Sequence, residues 1–171
     1  MPIRHATPAD LADIVAIYNA SIPGRMATAD LVPVTVEGRR AWFDEFAPQR
    51  RPLWVRCDSM TGSVLAWLSI RSFYGRPAYE TTVEVGVYTA PAAQRRGYAR
   101  QLLAHAVASA PSLGIEAMLA FVFGHNAPSL RLFEGAGFRT WGVLPRVARL
   151  DAERRDLVIL GRQVDAAGVP E

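Results

Sequence analysis

A carboxylate and a group of arginines stand close together in the middle of this 171-residue chain, and both kinds of side chain can do chemistry. Glu84 lies in Thr82–Thr89, where valines alternate with other residues, and this period of two predicts a strand. A carboxylate on a strand inside a cleft can remove a proton from an amine, directly or through one water. The alternative is that Glu84 faces solvent.

Arginines and a glycine follow where the strand gives way to a predicted helix, in the segment Gln94-Arg95-Arg96-Gly97-Tyr98-Ala99 and the next residue, Arg100. The first N–H groups of a helix have no partner within it, and the macrodipole adds positive charge, so such a start suits phosphate or pyrophosphate. Gly97 would let a ligand approach the backbone, and the arginines would supply charge. The alternative is a glycine-containing turn with solvated arginines.

Composition excludes several other chemistries. All 19 basic residues are arginine, so the chain has no lysine for a Schiff base or a P-loop. The single cysteine, Cys57, excludes a disulfide framework, and three scattered histidines give no metal site. A net charge of +3 without a dense basic run does not indicate nucleic-acid binding. Without a membrane-spanning apolar stretch or a signal-peptide core, we expect a soluble cytoplasmic protein with no membrane partner.

The elements that would position these residues follow from periodicity and from helix and turn signals. Helices are predicted from Thr7-Pro8 to about 20, over 36–46, from about 97 to 111, and from Asn126 to a C-cap at Gly137. Strands are predicted at 3–5, 53–57, 63–71, 82–89, 118–123, 138–143 and 156–161, with a loop over 21–34. This mixture predicts a single α/β or α+β domain over 1–164, followed by a frayed tail at 165–171.

Two motifs resemble hallmarks of one superfamily. The segment 94–99 resembles the Gln/Arg-x-x-Gly-x-Gly/Ala pyrophosphate loop of the GCN5-related N-acetyltransferases (GNAT). The segment 126–138 resembles the second hallmark, Asn-x-x-(Ala/Ser)-x-x-x-(aromatic)-x-x-x-Gly-Phe. Within the superfamily the chain is similar to the phosphinothricin N-acetyltransferase group, and the resemblance runs from Ile3 to about Val164. The matching features are Tyr18-Asn19, Arg76-Pro77-Ala78-Tyr79, 82–88 and Asp156-Leu157.

This resemblance implies a fold and a co-substrate. The fold is an α/β (α+β) GNAT fold, whose mixed sheet is splayed between two central strands and flanked by helices, with acetyl-CoA in the cleft. The strand end would bond the pantetheine arm through its backbone, and the arginine turn would hold the pyrophosphate. Asn126, also expected to be an N-cap, would lie near the thioester. The implied cofactor-binding residues are Val87, Tyr88, Thr89, Arg95, Arg96, Gly97, Tyr98, Ala99, Arg100, Asn126 and Ser129.

The resemblance also suggests roles in the reaction. Glu84 matches the family's proposed general base, and His125 is a second candidate for which a structural role is expected. Phe133 stands where many members carry a tyrosine proposed to protonate the leaving thiolate, so the general acid is unassigned. Guanidinium groups suit carboxylate and phosphinate oxygens. The predicted acceptor-binding residues are therefore Arg71, Arg76, Tyr79 and Glu84, although exposed arginines without a role are the alternative.

The resulting prediction is an N-acetyltransferase that transfers acetyl directly from acetyl-CoA, in a ternary complex, to a small amino-acid analogue. Phosphinothricin, methionine sulfoximine and methionine sulfone are the expected types of acceptor. The alternatives are acetylation of a protein N-terminus or a polyamine, a non-catalytic acyl-CoA-binding module, and a nucleic-acid-binding fold, which the dispersed arginines disfavour. A homodimer fits the resemblance. The four tryptophans, Trp42, Trp54, Trp67 and Trp141, are predicted to lie in the core or a dimer interface rather than around a ligand.

Overall fold

Seven strands and four α-helices, joined by short 3-10 turns, make up the secondary structure of a computed structural model that describes residues 3–164. The strands are β1 (Ile3–His5), β2 (Leu53–Cys57), β3 (Val64–Ser72), β4 (Thr82–Thr89), β5 (Ala117–Phe123), β6 (Arg139–Leu150) and β7 (Glu153–Gln163). The α-helices are α1 (Leu11–Ser21), α2 (Arg40–Asp44), α3 (Tyr98–Ser109) and α4 (Ala127–Gly135). The predicted tail lies outside the described residues. None of the described helices is long and apolar enough to cross a membrane.

The strands form one sheet in the order β1-β2-β3-β4-β5-β7-β6, and β4 and β5 are the parallel pair at its centre. Their pairing covers three positions of β4 and ends where Glu84 lies opposite Leu119. Beyond that point β4 stays paired with β3 as far as Thr89, and β5 stays paired with β7 as far as Phe123. The sheet therefore opens between its two central strands. This opening confirms the predicted fold class.

Two hydrophobic cores cover the two faces of the sheet. Val83 and Val85 of β4 are buried against α3 and β5, in the larger cluster that includes Leu102. The smaller cluster joins Ile14 of α1 to Trp67 of β3 on the opposite face. Because side chains alternate along a strand, the even-numbered residues of β4 project toward the α1 side. That alternation decides on which side Glu84 lies.

The second helix is shorter than the sequence predicted. A 3-10 turn, Glu37–Arg39, precedes only five α-helical residues, whereas the apolar pattern predicted a helix over 36–46. Gly38 inside the turn weakens helical propensity. The aromatic side chains nevertheless face inward, because Trp42, Phe43 and Phe46 pack against the smaller core.

The last two strands are much longer than predicted. They form an antiparallel hairpin that runs from Arg139 to Gln163, in place of the short strands expected at 138–143 and 156–161. Pro145 lies inside β6, where a proline cannot donate to the strand ladder. The register shifts between Leu144 and Ala148, and this irregularity lets β6 continue past the proline.

Candidate active site

A cavity of about 490 Å³ lies on the α1 side of the sheet, where β4 and β5 separate. Its floor consists of residue pairs that lie opposite each other on β3 and β4, namely Trp67 with Tyr88, Ser69 with Gly86, and Arg71 with Glu84. Its walls come from α1, the loop that follows it, the α2 region, β5 and the last hairpin, including Tyr18, Thr28, Arg39, Trp42, Phe121, Phe123, Val147 and Leu157. The cavity thus borders both sides of the split.

Glu84 lies half-buried on the cavity floor, so the alternative in which it faces bulk solvent is wrong. Its cross-strand neighbour is Arg71, whose Nη2 lies 3.8 Å from Oε2 of Glu45. Gly86 is the next β4 residue on the same face, and a Cβ there would come within 3.2 Å of Ser69 Oγ. The missing side chain keeps the floor open beside the carboxylate. The role of Glu84 as a base stays a prediction.

Aromatic rings form the end of the cavity away from Glu84. The rings of Trp67 and Tyr88 stack with centroids 4.6 Å apart, and Trp42 meets Trp67 edge-on at 5.7 Å. Tyr18 meets Tyr88 edge-on at 5.2 Å. Such pairs are stabilising beyond the area that they bury. This end of the cavity is therefore a rigid wall of flat apolar faces.

The tryptophans fall into two groups, and the sequence-based expectation holds for only part of them. Trp54 is buried in the larger core, and Trp141 is exposed on β6. Trp42 and Trp67, by contrast, line the cavity; Trp67 is also a buried residue of the smaller core, as predicted, and Trp42 packs against that core. Trp67 serves the core as well, because it is 3% exposed and its indole N–H donates to the Ile14 carbonyl at 3.1 Å.

A polar cluster that the sequence did not predict stands beside the aromatic wall. The Tyr18 hydroxyl donates to Asp30 and lies 2.5 Å from Thr28 Oγ1. Arg39 donates from Nη2 to Asp30 at 3.1 Å, and its guanidinium carbon lies 4.7 Å from the Tyr18 ring centroid. Thr28 and Asp30 lie in the irregular loop after α1 and Arg39 lies in a 3-10 turn, so only Tyr18, on the predicted first helix and in the family-like pair Tyr18-Asn19, pointed toward this site.

Both tyrosines at this end keep their protons. Burial raises the pKa of Tyr18, and the hydrogen bond to Asp30 raises it further. Burial also raises the pKa of Tyr88 well above its usual range, and its hydroxyl donates to the Ala27 carbonyl at 3.3 Å. Both hydroxyls are therefore neutral hydrogen-bonding groups near pH 7.

The predicted pyrophosphate turn has the backbone of an anion site. Arg95 and Gly97 have positive φ angles of 61° and 79°, α3 begins directly afterwards, and its first hydrogen bond runs from Gln101 N–H to Gly97 O at 3.0 Å. Helix-start N–H groups before that bond have no helical partner and can meet a phosphate. A Cβ on Gly97 would meet no protein atom within 4 Å, so space remains for a ligand. Arg95, Arg96 and Arg100 are exposed, and Val87, Tyr88, Thr89, Tyr98 and Ala99 are half-buried.

Asn126 caps α4, as the sequence predicted. Its Oδ1 accepts from the Ser129 N–H at 3.2 Å, and its Nδ2 donates to the Met26 carbonyl at 2.9 Å. Its neighbour His125 has Nε2 2.8 Å from the Arg25 carbonyl, which fits the structural role expected for that histidine. These contacts fasten the cavity loop to the start of α4. Cofactor contacts of Asn126 and Ser129 stay predictions.

The predicted acceptor residues divide into two pairs. Arg71 and Glu84 line the cavity, whereas Arg76 and Tyr79 are not among its lining residues. The latter two lie in or next to an exposed 3-10 turn at the end of β3, where the Tyr79 ring packs edge-on against Phe73 at 5.4 Å. The turn directs them to the surface beside the cavity. Their role in acceptor binding stays a prediction.

Two further side chains bear on the mechanism. Phe133 is 4% exposed and packs edge-on against Phe138 in the larger core, at a centroid distance of 5.1 Å. Cys57 does not line the cavity; Arg4 donates to its Sγ at 3.3 Å, and burial raises the pKa of its thiol. Within residues 3–164, no group of three or more His, Cys, Asp and Glu side chains could hold a metal ion.

The fold has a mixed sheet that opens between two parallel central strands beside a cavity, and comparison with known proteins identifies the family that shares it. The sequence matches the acetyltransferase (GNAT) family over residues 14–138. The chain therefore belongs to this family, and the resemblance seen in its two motifs is confirmed.

Two relatives and one solved structure show which members of the acetyltransferase family this chain is similar to. The chain is 49% identical over 164 residues, covering 96% of this chain and 99% of the other, to a Bacillus subtilis protein provisionally named a phosphinothricin acetyltransferase. It is 32% identical, over 95% of this chain and 94% of the other, to the L-methionine sulfoximine/L-methionine sulfone acetyltransferase of Pseudomonas aeruginosa. Its fold matches a provisionally assigned Salmonella typhimurium acetyltransferase, solved with its cofactor acetyl-CoA, with a TM-score of 0.90, 30% identity and coverage of 100% and 98%.

Proposed function

We propose that this chain transfers acetyl from acetyl-CoA to the α-amine of a small amino-acid analogue of the phosphinothricin, methionine sulfoximine or methionine sulfone type. The observation that carries the proposal is the position of Glu84. It lies beside Arg71 on the floor of a cavity that borders the split between β4 and β5. Acetyl-CoA is the co-substrate, and the split is where its pantetheine arm would pair with the free edge of β4.

Glu84 acts as the general base in this mechanism. An amine with a pKa near about 10 is protonated at neutral pH and cannot attack a carbonyl. Glu84 removes that proton, and the freed nitrogen lone pair attacks the thioester carbonyl carbon. The new C–N bond forms first and turns the carbonyl oxygen into an oxyanion. The nitrogen then gives its second proton to water, the C=O bond re-forms as the C–S bond breaks, and CoA departs as a thiolate. Backbone N–H groups on the free edge of β4 stabilise the oxyanion between the two steps.

Direct transfer in a ternary complex is favoured over a covalent acyl-enzyme. A nucleophilic cysteine needs a lowered thiol pKa and access to the thioester. Cys57 has a raised pKa, and it lies on β2 outside the cavity lining. The proton that the thiolate takes up comes from water in this scheme, because Phe133 has no proton to donate and is buried in the core.

The guanidinium groups of the cavity support an acceptor that carries carboxylate or phosphinate oxygens. Arg39 and Arg71 line it together with a single carboxylate, Glu84. Asp30 pairs with Arg39, and Glu45 lies 3.8 Å from Arg71, but each planar guanidinium keeps further N–H donors that can bind carboxylate or phosphinate oxygens. The acceptors named for the related proteins of Bacillus subtilis and Pseudomonas aeruginosa support the same class.

Replacing Glu84 by Gln tests the proposal. The amide keeps the shape and removes the base, so we expect kcat to fall by about 10² to 10⁴ while the affinity for acetyl-CoA is unchanged. Steady-state thiol release and calorimetric titration with acetyl-CoA measure the two quantities. The matched control is Glu134→Gln, at an exposed carboxylate on α4. An unchanged kcat for Glu84→Gln at every pH would remove Glu84 as the base.

We also propose that the protein is a cytoplasmic homodimer. The edge strand β6 exposes a row of apolar side chains, and exposed apolar patches beside an open sheet edge are sites of association. The exposed residues outside the cavity are Trp141, Val143 and Leu144, each at least 42% accessible. Sedimentation of the wild-type chain should give twice the monomer mass, and Val143→Glu should give the monomer.

A further inference from the structure

We propose that Arg39 is the specificity-determining residue that binds an oxygen at the end of the acceptor's side chain, while Arg71 takes the α-carboxylate. The acceptors would be glutamate-shaped amino acids whose side chains end in a phosphinate, sulfone or sulfoximine oxygen. This inference rests on the proposed function, because it divides the acceptor between the two arginines of that cavity. Arg39 was not among the residues that the sequence predicted.

Arg71 is the arginine that an α-carboxylate can reach. An α-amine and an α-carboxylate are attached to the same carbon, so their protein partners must lie side by side. Glu84 and Arg71 are directly opposite each other on antiparallel strands, where Cβ atoms are about 4.5–5.5 Å apart. Once the amine meets Glu84, the carboxylate therefore lies next to Arg71. The side chain of the acceptor must extend in another direction.

Arg39 stands at the other end of the cavity floor. Its guanidinium lies over the Tyr18 ring, and that ring contacts Tyr88. Tyr88 is four residues beyond Glu84 on the same strand, which corresponds to roughly 13 Å. Between the two charged ends lie Gly86 and flat aromatic faces, which suit a methylene chain. Arg71 and Arg39 thus lie at opposite ends of the cavity floor, from which their long side chains can approach the two ends of one acceptor.

Arg39 is held in place before any ligand binds. Asp30 accepts a hydrogen bond from its Nη2, and the guanidinium lies 4.7 Å from the Tyr18 ring centroid and 5.4 Å from that of Trp42. A guanidinium has five N–H donors in a planar fork, so the single bond to Asp30 leaves donors for two ligand oxygens. Its side chain is only 23% exposed. A partly desolvated, preorganised cation of this kind discriminates more strongly than a mobile surface arginine.

Two acceptors and three variants test this assignment. Phosphinothricin carries a side-chain oxyanion, and methionine has the same α-carbon groups without one. We expect Arg39→Met to lower kcat/KM for phosphinothricin at least tenfold, to change the value for methionine less than about threefold, and to leave KM for acetyl-CoA unchanged. Arg71→Met should lower kcat/KM for both acceptors by similar factors. Arg40→Met is the matched control, since Arg40 is exposed and pairs with Glu37 at 2.6 Å.

The outcomes separate this inference from the proposed function. Equal losses for both acceptors in Arg39→Met would overturn it, as would a selective loss of phosphinothricin in Arg71→Met. Arg39→Lys guards against misfolding, because it keeps a cation over the rings and should lose phosphinothricin activity by an intermediate factor. If the wild-type chain acetylates neither acceptor nor a sulfone, the proposed function fails. If it acetylates both acceptors and Arg39→Met leaves their ratio unchanged, only the inference fails.

Discussion

The cofactor side and the acceptor side of this molecule are built in opposite ways. The predicted cofactor residues are concentrated between Val87 and Arg100, where a strand edge and a helix start present backbone N–H groups to a ligand. The acceptor cavity is lined by side chains drawn from residues between Ile14 and Leu157. A polyanionic cofactor can be bound by backbone geometry that a short segment supplies. A particular acceptor needs side chains that only the whole fold brings together.

The two sides also differ in what holds them in place. The arginines of the cofactor turn are exposed and make no contribution to the two cores. Trp67, by contrast, is at once a core residue and part of the cavity floor. Changes on the acceptor side should therefore affect stability, whereas changes on the cofactor side should mainly affect acetyl-CoA affinity.

The largest effect is expected for Trp67→Ala. Removing this buried ring leaves a void and removes the hydrogen bond from the indole N–H to the Ile14 carbonyl, so we expect the free energy of unfolding to fall by about 3–5 kcal/mol. Urea denaturation measures the free energy of unfolding, with Met60→Ala, at an exposed apolar residue outside the cavity and β6, as the control. Equal losses in the two variants would mean that the cavity floor is not part of the core.

Gly97→Ala should have a smaller effect on stability and a specific one on cofactor binding. An alanine in the left-handed backbone conformation of Gly97 lowers the stability by about 1–2 kcal/mol. If the turn relaxes to avoid this strain, its N–H groups no longer point toward one phosphate. Gly62 has a similar φ of +77°, and a Cβ there also meets nothing within 4 Å. Gly62→Ala is therefore a matched control that should lose similar stability and keep its KM for acetyl-CoA. If both variants keep that KM, the turn does not bind the pyrophosphate.

Arg96→Ala tests the charge of the same turn. An exposed ion pair contributes about 0.2–1 kcal/mol, so we expect KM for acetyl-CoA to rise by up to roughly fivefold in dilute buffer. The difference from wild type should shrink as salt is added, because exposed charges are screened. The acceptor KM should not change. An acetyl-CoA affinity that is insensitive to both the substitution and salt would place the phosphates elsewhere.

Tyr88→Phe should have the smallest effect, and it probes the boundary between the two sides. Since the pKa of Tyr88 is raised, its hydroxyl stays protonated throughout a pH 6–9 assay, as does that of Tyr18. Loss of the weak bond to Ala27 should change kcat by only a few-fold and leave the shape of the pH–rate profile unaltered. If the fall in rate at alkaline pH disappeared in this variant, Tyr88 would instead be the general acid that protonates the CoA thiolate.

Local patterns predicted most of the elements and the part of the site that lies on one of them. The alternation in Thr82–Thr89 located β4 at its observed bounds, and Asn126 was correctly predicted as an N-cap. The patterns failed where tertiary contacts overrode a local signal. A register shift carries β6 past Pro145, and packing against Trp67 turns Trp42 into a cavity wall.

The sequence by itself predicted the family, most of the regular elements near the split, and the short segment that resembles a pyrophosphate turn, because those properties depend on neighbouring residues. Only the tertiary structure decided which arginines share the cavity with Glu84. Arg76 matched a family pattern but lies on an exposed turn, while Arg39 carried no motif and lines the cavity. The physical reason is that a cross-strand pairing and a loop that folds back on the sheet bring together residues whose separation in the chain carries no local signal.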